Sequence, residues 1–269
     1  MVVFPNAKIN LGLHITNKRE DGYHNIESVL VPIPITDALE ITKNKREKTE
    51  FSCSGVKIPS DGKKNLVERA FFLIREEYEI PNVDLNLLKN IPIGAGLGGG
   101  SADAAQCLLG LNTLFNLQIS EKKLLNLAAK LGADCSFFIK NKIMHVEGIG
   151  NKFTEISINL SDYYFVVIYP EIHVSTLDAY KKIKPKKPIK SIKDILKQPI
   201  ETWRKELKND FENSVFEKHP KIRKAKQDIY NSGAIYASMS GSGSTIFGIF
   251  KNSPKTNFEH IGRCWCFRI

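Results

Sequence analysis

Pro92-Ile93-Gly94-Ala95-Gly96-Leu97-Gly98-Gly99-Gly100-Ser101-Ala102 is the stretch on which the reading of this chain turns. Its five glycines stand between a segment of alternating character, 83–90, and one of helical spacing that opens at Ser101. Glycine adopts positive φ and lets a ligand approach the backbone amides, because no Cβ stands in the way. A glycine-rich turn feeding a helix aims several unbonded N–H groups, and the positive end of the helix dipole, at one point, which makes an anion site. Flexible loops are usually padded with Ser or charged residues, whereas apolar Ile93 and Leu97 punctuate this one. The stretch reads as a phosphate cradle.

Three common cradles do not fit. Gly94, Gly96 and Gly99 match G-x-G-x-x-G, but a dinucleotide fold wants an acidic residue about 20 positions on for the ribose. That distance falls at 114–117, and both Asp103 and Glu121 are misplaced for the role. A Walker A loop ends in Gly-Lys-Ser/Thr, and this one ends in Gly100-Ser101-Ala102 without a lysine. The protein-kinase set also fails, since neither His-Arg-Asp nor Asp-Phe-Gly occurs.

A chain of 269 residues buries one large core or two modest ones. Its 42% hydrophobic and 25% charged residues are ordinary for a globular protein. No apolar run approaches the roughly 20 residues of a membrane span. Met1-Val2-Val3-Phe4-Pro5 lacks the basic flank and long apolar stretch of a secretory signal, so the cytoplasm is the expected compartment. Cys107 and Cys135 lie in apolar periodic segments, Cys264 and Cys266 alternate as in a strand, and Cys53 stands apart. With no zinc-ligand partners nearby, all five are expected to be reduced and structural.

Lys and Arg number 39 against 29 Asp and Glu, a formal charge of +10. An excess of this kind often marks a nucleic-acid binder. Much of it, however, sits in the Pro-interrupted tract 181–197, where no aromatic residues interleave with the lysines as single-strand binding prefers. The expectation is a solvated, lysine-rich surface segment, with neither nucleic acid nor membrane as partner. The positive field also favours polyanionic substrates.

Alternation over 7–15 predicts a strand with Lys8 and Asn10 on one face and Ile9, Leu11 and Leu13 on the other. Arg19-Glu20-Asp21-Gly22 is a hairpin turn signal. Helical spacing covers 66–79, and Ser101 is placed to cap a helix with an apolar face of Ala104, Ala105, Leu108, Leu111 and Phe115. Ser120-Glu121 opens another helix, ended by Gly132 at the C′ position. A boundary is expected near 154–161, followed by a buried strand at 163–169, a basic helix at 221–231 and two strands within 235–250.

Two further signals bear on chemistry. Ser240-Gly241-Ser242-Gly243-Ser244-Thr245 is either a hairpin turn or a second anion contact. Gly132-Ala133-Asp134-Cys135 sets a carboxylate just past a helix C-terminus. It either bonds its own turn or wants a cationic partner, because helix C-termini disfavour anions. Lys8 is the candidate partner. An Asp–Lys pair beside a phosphate cradle suits phosphoryl transfer to an alcohol, the carboxylate taking or orienting the hydroxyl proton and the ammonium stabilising the oxygens.

Taken together, Ala7-Lys8-Ile9-Asn10-Leu11-Gly12-Leu13, the glycine-rich stretch, the Asp134 segment and the Ser/Gly turn resemble, in order and spacing, the motifs of the GHMP (galactokinase, homoserine, mevalonate and phosphomevalonate kinase) superfamily. With Asp21-Gly22-Tyr23-His24 added, the resemblance is to its branch acting on 4-diphosphocytidyl-2-C-methyl-D-erythritol, and it covers nearly the whole chain. The resemblance implies an α+β fold in two domains. An ATP-binding N-terminal domain like ribosomal protein S5 domain 2 would span 1–155, and a ferredoxin-like C-terminal domain 156–269. It implies ATP and Mg²⁺ as cofactors, Lys8 and Asp134 as the catalytic pair, and Pro92 through Ala102 around the ATP phosphates, with Ser101 also a magnesium contact.

By the same resemblance Asn65 lies near the adenine and Asn10 at the erythritol end of the substrate. His24 hydrogen-bonds the cytosine, Tyr23 stacks on it, Thr176 and Tyr180 complete the pocket, and Gly241 and Ser242 line its floor. Tyr23 and His24 by themselves also suit the surface of a hairpin. The sequence departs from the family at Ser101-Ala102, where members often carry two serines, and at the final turn, where others use Gly-Thr-Gly-Ala. The alternatives are another small-alcohol kinase of the superfamily and a nucleic-acid-binding protein; the oligomeric state is not legible.

Overall fold

The computed structural model describes residues 1–59 and 62–269. In chain order the elements are β1 (Val2–Val3), β2 (Asn6–Lys18), β3 (His24–Thr36), β4 (Ala38–Lys43), β5 (Glu50–Gly55), α1 (Leu66–Tyr78), β6 (Val83–Lys89), α2 (Gly99–Leu114), α3 (Glu121–Leu131) and α4 (Cys135–Lys140). They continue with β7 (Met144–Gly148), β8 (Lys152–Glu155), β9 (Tyr164–Tyr169), α5 (Thr176–Lys181), α6 (Ile192–Leu196), α7 (Ile200–Glu206), α8 (Phe211–Lys218), α9 (Pro220–Asn231), β10 (Tyr236–Met239), β11 (Ile246–Phe250) and β12 (Arg263–Arg268). The chain forms two units, each drawn from several segments. One takes Met1–Ala7, Ile35–Ile93 and Gly98–Lys142; the other takes Lys8–Pro34, Gly94–Leu97 and Ile143–Ile269.

In the first unit the sheet order is β1-β4-β6-β5, with β5 parallel to β6. The two-residue period of β6 buries Val83, Leu85 and Leu87, and it carries Lys89 into the same buried row. Helix α1 opens on a capping box, Asn65 Oδ1 accepting from Val67 N at 2.9 Å and Glu68 Oε2 from Asn65 N at 2.9 Å. Helix α2 comes so close to β4 that a Cβ on Gly110 would lie 2.8 Å from Ile41 Cδ1.

Three local expectations change here. Ser101 does not cap α2. Gly98 does, at φ +74°, so the helix starts at Gly99 because glycine alone takes that left-handed angle cheaply. Gly132 ends α3 at φ 175°, which is extended backbone and not the left-handed C′ turn. Asp134 lies past the end of α3 as expected, but it is also the N-cap residue of the short helix α4, whose Cys135, Phe137 and Phe138 are buried.

The second unit holds two four-stranded sheets, β2-β3-β7-β8 and β10-β11-β9-β12. Its core joins Leu13 and Ile15 of β2 to Val166 and Ile168 of β9, Phe211 and Val215 of α8, Ile222 and Ile229 of α9, and Met239 and Ile246 at the Ser/Gly turn. The polar face expected on the first strand is buried as well: Lys8 and Asn10 are each 4% exposed. The lysine tract is not wholly a solvated segment either. Ser191 caps α6, and Ile192, Ile195 and Leu196, spaced three and four apart, turn into the core while the lysines stay outside.

Candidate active site

The second half of the glycine-rich stretch opens α2 in the first unit. Ala102 N makes the first helical bond of α2, to Gly98 O at 3.0 Å, so the amides of Gly99, Gly100 and Ser101 lie ahead of the ladder. Those amides and the dipole's positive end face any anion brought to the helix start. Burial pushes the Cys135 thiol up to about 11 against the pull of the nearby Ser101 hydroxyl and the Arg69 charge. The structure thus brings the start of α2 next to the Asp134-Cys135 step. Ser136 Oγ fixes α4 in turn, donating to Leu125 O at 3.2 Å. Asn65 caps α1, and its neighbour Leu66 lies 3.8 Å from where a Gly100 side chain would begin.

A buried ionic cluster anchors this helix start. Lys89 Nζ, brought inside by the β6 alternation, donates to Asp37 and, at 2.7 Å, to Asp103 one turn into α2. Asp37 also accepts from the amides of Asn90 and Ile91, which lead into Pro92. Asp103 Oδ1 is buried without a hydrogen-bond partner. Burial pushes the Asp103 carboxyl up to about 7 against the pull of Lys89. The folded protein therefore keeps this proton up to about pH 7, whereas the unfolded chain loses it near pH 4. Stability from this group is present below the unfolded value and is lost as pH rises through the folded one. Urea unfolding at pH 5 and pH 8 is expected to show a smaller loss on going to pH 8 in Asp103→Asn than in the parent; equal losses would contradict it.

The first half of the stretch, Gly94 to Leu97, belongs to the second unit and is tied to β2. Lys8 N donates to Leu97 O at 2.9 Å, and Lys8 Nζ donates to Asn10 Oδ1 at 2.7 Å and to Gly96 O at 3.0 Å. Asn10 Nδ2 donates to Ser28 Oγ at 2.9 Å, which passes the chain on to Gly12 O at 2.7 Å. These partners satisfy a lysine that burial would otherwise penalise, and they hold its ammonium in one place. The Ser/Gly turn closes on the same loop. Ser240 Oγ donates to Gly96 O at 2.8 Å and Thr245 N to Ala95 O at 3.2 Å. It is therefore more than a hairpin turn, being bonded to the glycine-rich stretch itself.

His24 and Tyr180 come together in a stack, ring centroids 4.9 Å apart at 24°, and Tyr180 meets Phe211 edge-on at 4.8 Å. Thr176 Oγ1 and Ser242 Oγ are 3.0 Å apart, with Gly241 beside them in the turn. Tyr23 is 64% exposed and stands outside this group. An aromatic platform beside hydroxyls and a lysine-bearing strand suits a ligand with a flat base at one end and alcohols at the other.

Sequence reasoning missed several residues that hold the site. Asn209 is buried and ties the Ser/Gly turn, its Nδ2 donating to Met239 O at 2.7 Å and Gly241 O at 2.9 Å. A lone Asn between helices carries no signal of that. Ser28 and Asp37 likewise act only through distant partners. Lys89 was findable, since it falls in the apolar phase of β6 and a buried lysine needs carboxylates.

The model of the GHMP kinases N terminal domain matches residues 65–142, and that of the GHMP kinases C terminal matches residues 191–265. A Bacteroides fragilis protein named 4-diphosphocytidyl-2-C-methyl-D-erythritol kinase is 49% identical over 270 aligned positions, covering 100% of this chain and 98% of its own. A crystal structure of 4-(cytidine 5'-diphospho)-2C-methyl-D-erythritol kinase superposes with a TM-score of 0.81 at 30% identity, over 99% of this chain and 98% of that one. A mevalonate kinase structure, at 15% identity, TM-score 0.74 and coverages of 99% and 98%, shares the fold. The α+β fold implied by the motifs, with GHMP kinase N- and C-terminal domains, is the fold of this chain. Identity at this level along the whole length means that the chain belongs to the GHMP kinases and, within them, to the 4-diphosphocytidyl-2-C-methyl-D-erythritol kinase family.

Proposed function

We infer that this chain, an ATP-dependent kinase, phosphorylates the 2-hydroxyl of 4-diphosphocytidyl-2-C-methyl-D-erythritol, giving the 2-phosphate and ADP, in the non-mevalonate route to isopentenyl diphosphate. Its place in that family supports the substrate. The observation that carries the chemistry is the helix start of α2, with three amides ahead of its ladder, in a helix that packs on α4, which Asp134 opens.

In the proposed reaction Asp134 takes or orients the proton of the tertiary hydroxyl, and the resulting alkoxide oxygen bonds the γ-phosphorus as the bond to the bridging oxygen of ADP breaks. Lys8, its ammonium held by Asn10 and the Gly96 carbonyl, stabilises charge on the oxygens in flight. Pro92 through Ala102 cradle the phosphates, and Asn65 stands near the adenine. Asn10 contacts the erythritol end, Tyr23 and His24 the cytosine, and Thr176, Tyr180, Gly241 and Ser242 the remainder of the substrate. Among the described residues no three His, Cys, Asp or Glu side chains cluster as a metal cage. A magnesium ion carried by a nucleotide needs only one or two protein oxygens, since phosphates and water supply the others, and the Ser101 hydroxyl in the first turn of α2 fits that requirement. Such an ion, when bound, neutralises charge on the phosphates.

Among the described residues no helix is long and apolar enough to cross a membrane. We take the working compartment to be the cytoplasm, the partner to be the small substrate alone, and the two family domains to meet near residue 155. ADP release from ATP and Mg²⁺ tests the reading directly. Turnover of about 1–100 per second is expected with the cytidyl substrate, and none with mevalonate, homoserine or galactose. Activity on one of those three instead would leave a kinase with the wrong substrate assigned. His24→Ala is expected to raise KM for the cytidyl substrate about tenfold, roughly 1.4 kcal/mol of lost binding, and to leave KM for ATP unchanged. An unmoved substrate KM removes His24 from the base contact.

A further inference from the structure

A cavity of about 700 Å³ opens in the second unit between His14 and the lysine-rich segment 182–190, and no residue assigned above to ATP, substrate or catalysis lines it. Its size is that of a small-ligand site, and its walls combine two chemistries. Ile183, Ile189 and Ile195 supply apolar surface, Ile189 being 100% exposed. Lys184, Lys186 and Lys187 supply cations that have no ion pair among the described residues. Lys182 and Lys190 of the same wall differ, since they bond Glu217 and Glu206.

The inner wall adds an independent observation. His14 has a side chain 12% exposed, and its buried Nε2 has no hydrogen-bond partner, while Nδ1 stands 3.9 Å from Asp210 Oδ1. Nε2 is shut off from solvent, so the exposed edge of the ring, and not that nitrogen, meets the cavity. The segment is not loose at this point, for Lys186 N donates to Ile15 O of β2 at 3.0 Å. Uncompensated cations and open apolar surface around one cavity are both met by a single kind of molecule. It carries a phosphate at one end and a short hydrocarbon at the other.

We propose that the cavity lined by His14 and 182–190 binds a small alkyl phosphate or diphosphate, at a site separate from those for ATP and substrate. The phosphate sits against Lys184, Lys186 and Lys187, and the hydrocarbon against Ile183, Ile189 and Ile195. This site does not depend on the reaction assigned above.

The test is calorimetric titration of the whole chain with monomeric octyl phosphate, octanol and inorganic phosphate, with and without a saturating non-hydrolysable ATP analogue. Octyl phosphate is expected to bind one to one, at least tenfold more tightly than octanol or phosphate, and equally well with the nucleotide present. The double variant Lys186→Ala/Lys187→Ala is expected to weaken it at least tenfold while ADP release stays at the parent rate, which shows the variant folded. Ile189→Asp is expected to weaken it as well. Absence of saturable binding, equal affinity in the lysine variant, or displacement by the nucleotide each overturns the proposal. So does sedimentation with phosphatidylglycerol vesicles in place of binding to the free phosphate, because the surface would then serve a membrane and not a small molecule.

Discussion

Asp134→Asn is expected to lower kcat at least about a hundredfold, the usual cost of losing an acid–base group, with the fold and both KM values kept. The position makes this a clean substitution. Asp134 is half-buried at the start of α4, where the backbone and the packing of Phe137 and Phe138 set its place, and its side chain is not part of that helix's capping. Asn fills the same volume and leaves the packing of α4 intact. What it loses is the capacity to take a proton from the substrate hydroxyl. The measurement is ADP release at saturating ATP and cytidyl substrate, with a thermal melt on the same preparation. Near-full turnover from a folded variant would remove the proton-accepting role and leave positioning and charge stabilisation to supply the rate.

Gly96→Ala carries the second large effect, and here the cause is close packing. Gly96 sits at φ +81°, and a Cβ there would lie 2.1 Å from Ser240 O. No rotamer change relieves a clash with a backbone carbonyl, so either the loop or the Ser/Gly turn must move. A left-handed angle costs an L-residue about 1–2 kcal/mol, and overpacking typically adds about 1–3 kcal/mol. Together these predict a loss of about 2–5 kcal/mol in stability. Activity falls with it, because Gly96 O is an acceptor for both Lys8 Nζ and Ser240 Oγ. A carbonyl moved by an ångström misplaces the ammonium, and errors of that size cost on the order of a hundredfold in rate. Gly100→Ala is the control. That glycine is in the first turn of α2 without a positive φ, and its Cβ would meet nothing nearer than Leu66 Cδ1 at 3.8 Å. Thermal melts should separate the two; matching losses of stability would show that the contact with Ser240 is not what demands a glycine at 96.

Much of the architecture was legible from local pattern. The alternations at 7–15 and 83–90 appear as β2 and β6, the helical spacing at 66–79 as α1, and Ser120 caps α3 as its position before Glu121 predicts. These features depend on residues a few positions apart, so their periods and capping chemistry can be read along the chain. The start of α2 was misplaced by two residues because the signal used was the serine, whereas glycine's tolerance of a left-handed angle decided the cap.

By itself the sequence determined the class of chemistry: a glycine-rich stretch opening a helix, a lysine on a strand, a carboxylate beyond a second helix, and a family pattern joining them. Only the tertiary structure decided how those groups are held. Lys8 is buried by Asn10 and Gly96, Asn209 ties the Ser/Gly turn from 32 positions away, and Asp37 and Asp103 receive Lys89 across 52 and 14 positions. A buried polar group must find its partner wherever the fold brings one. That partner is fixed by packing between distant segments, and no local period records it.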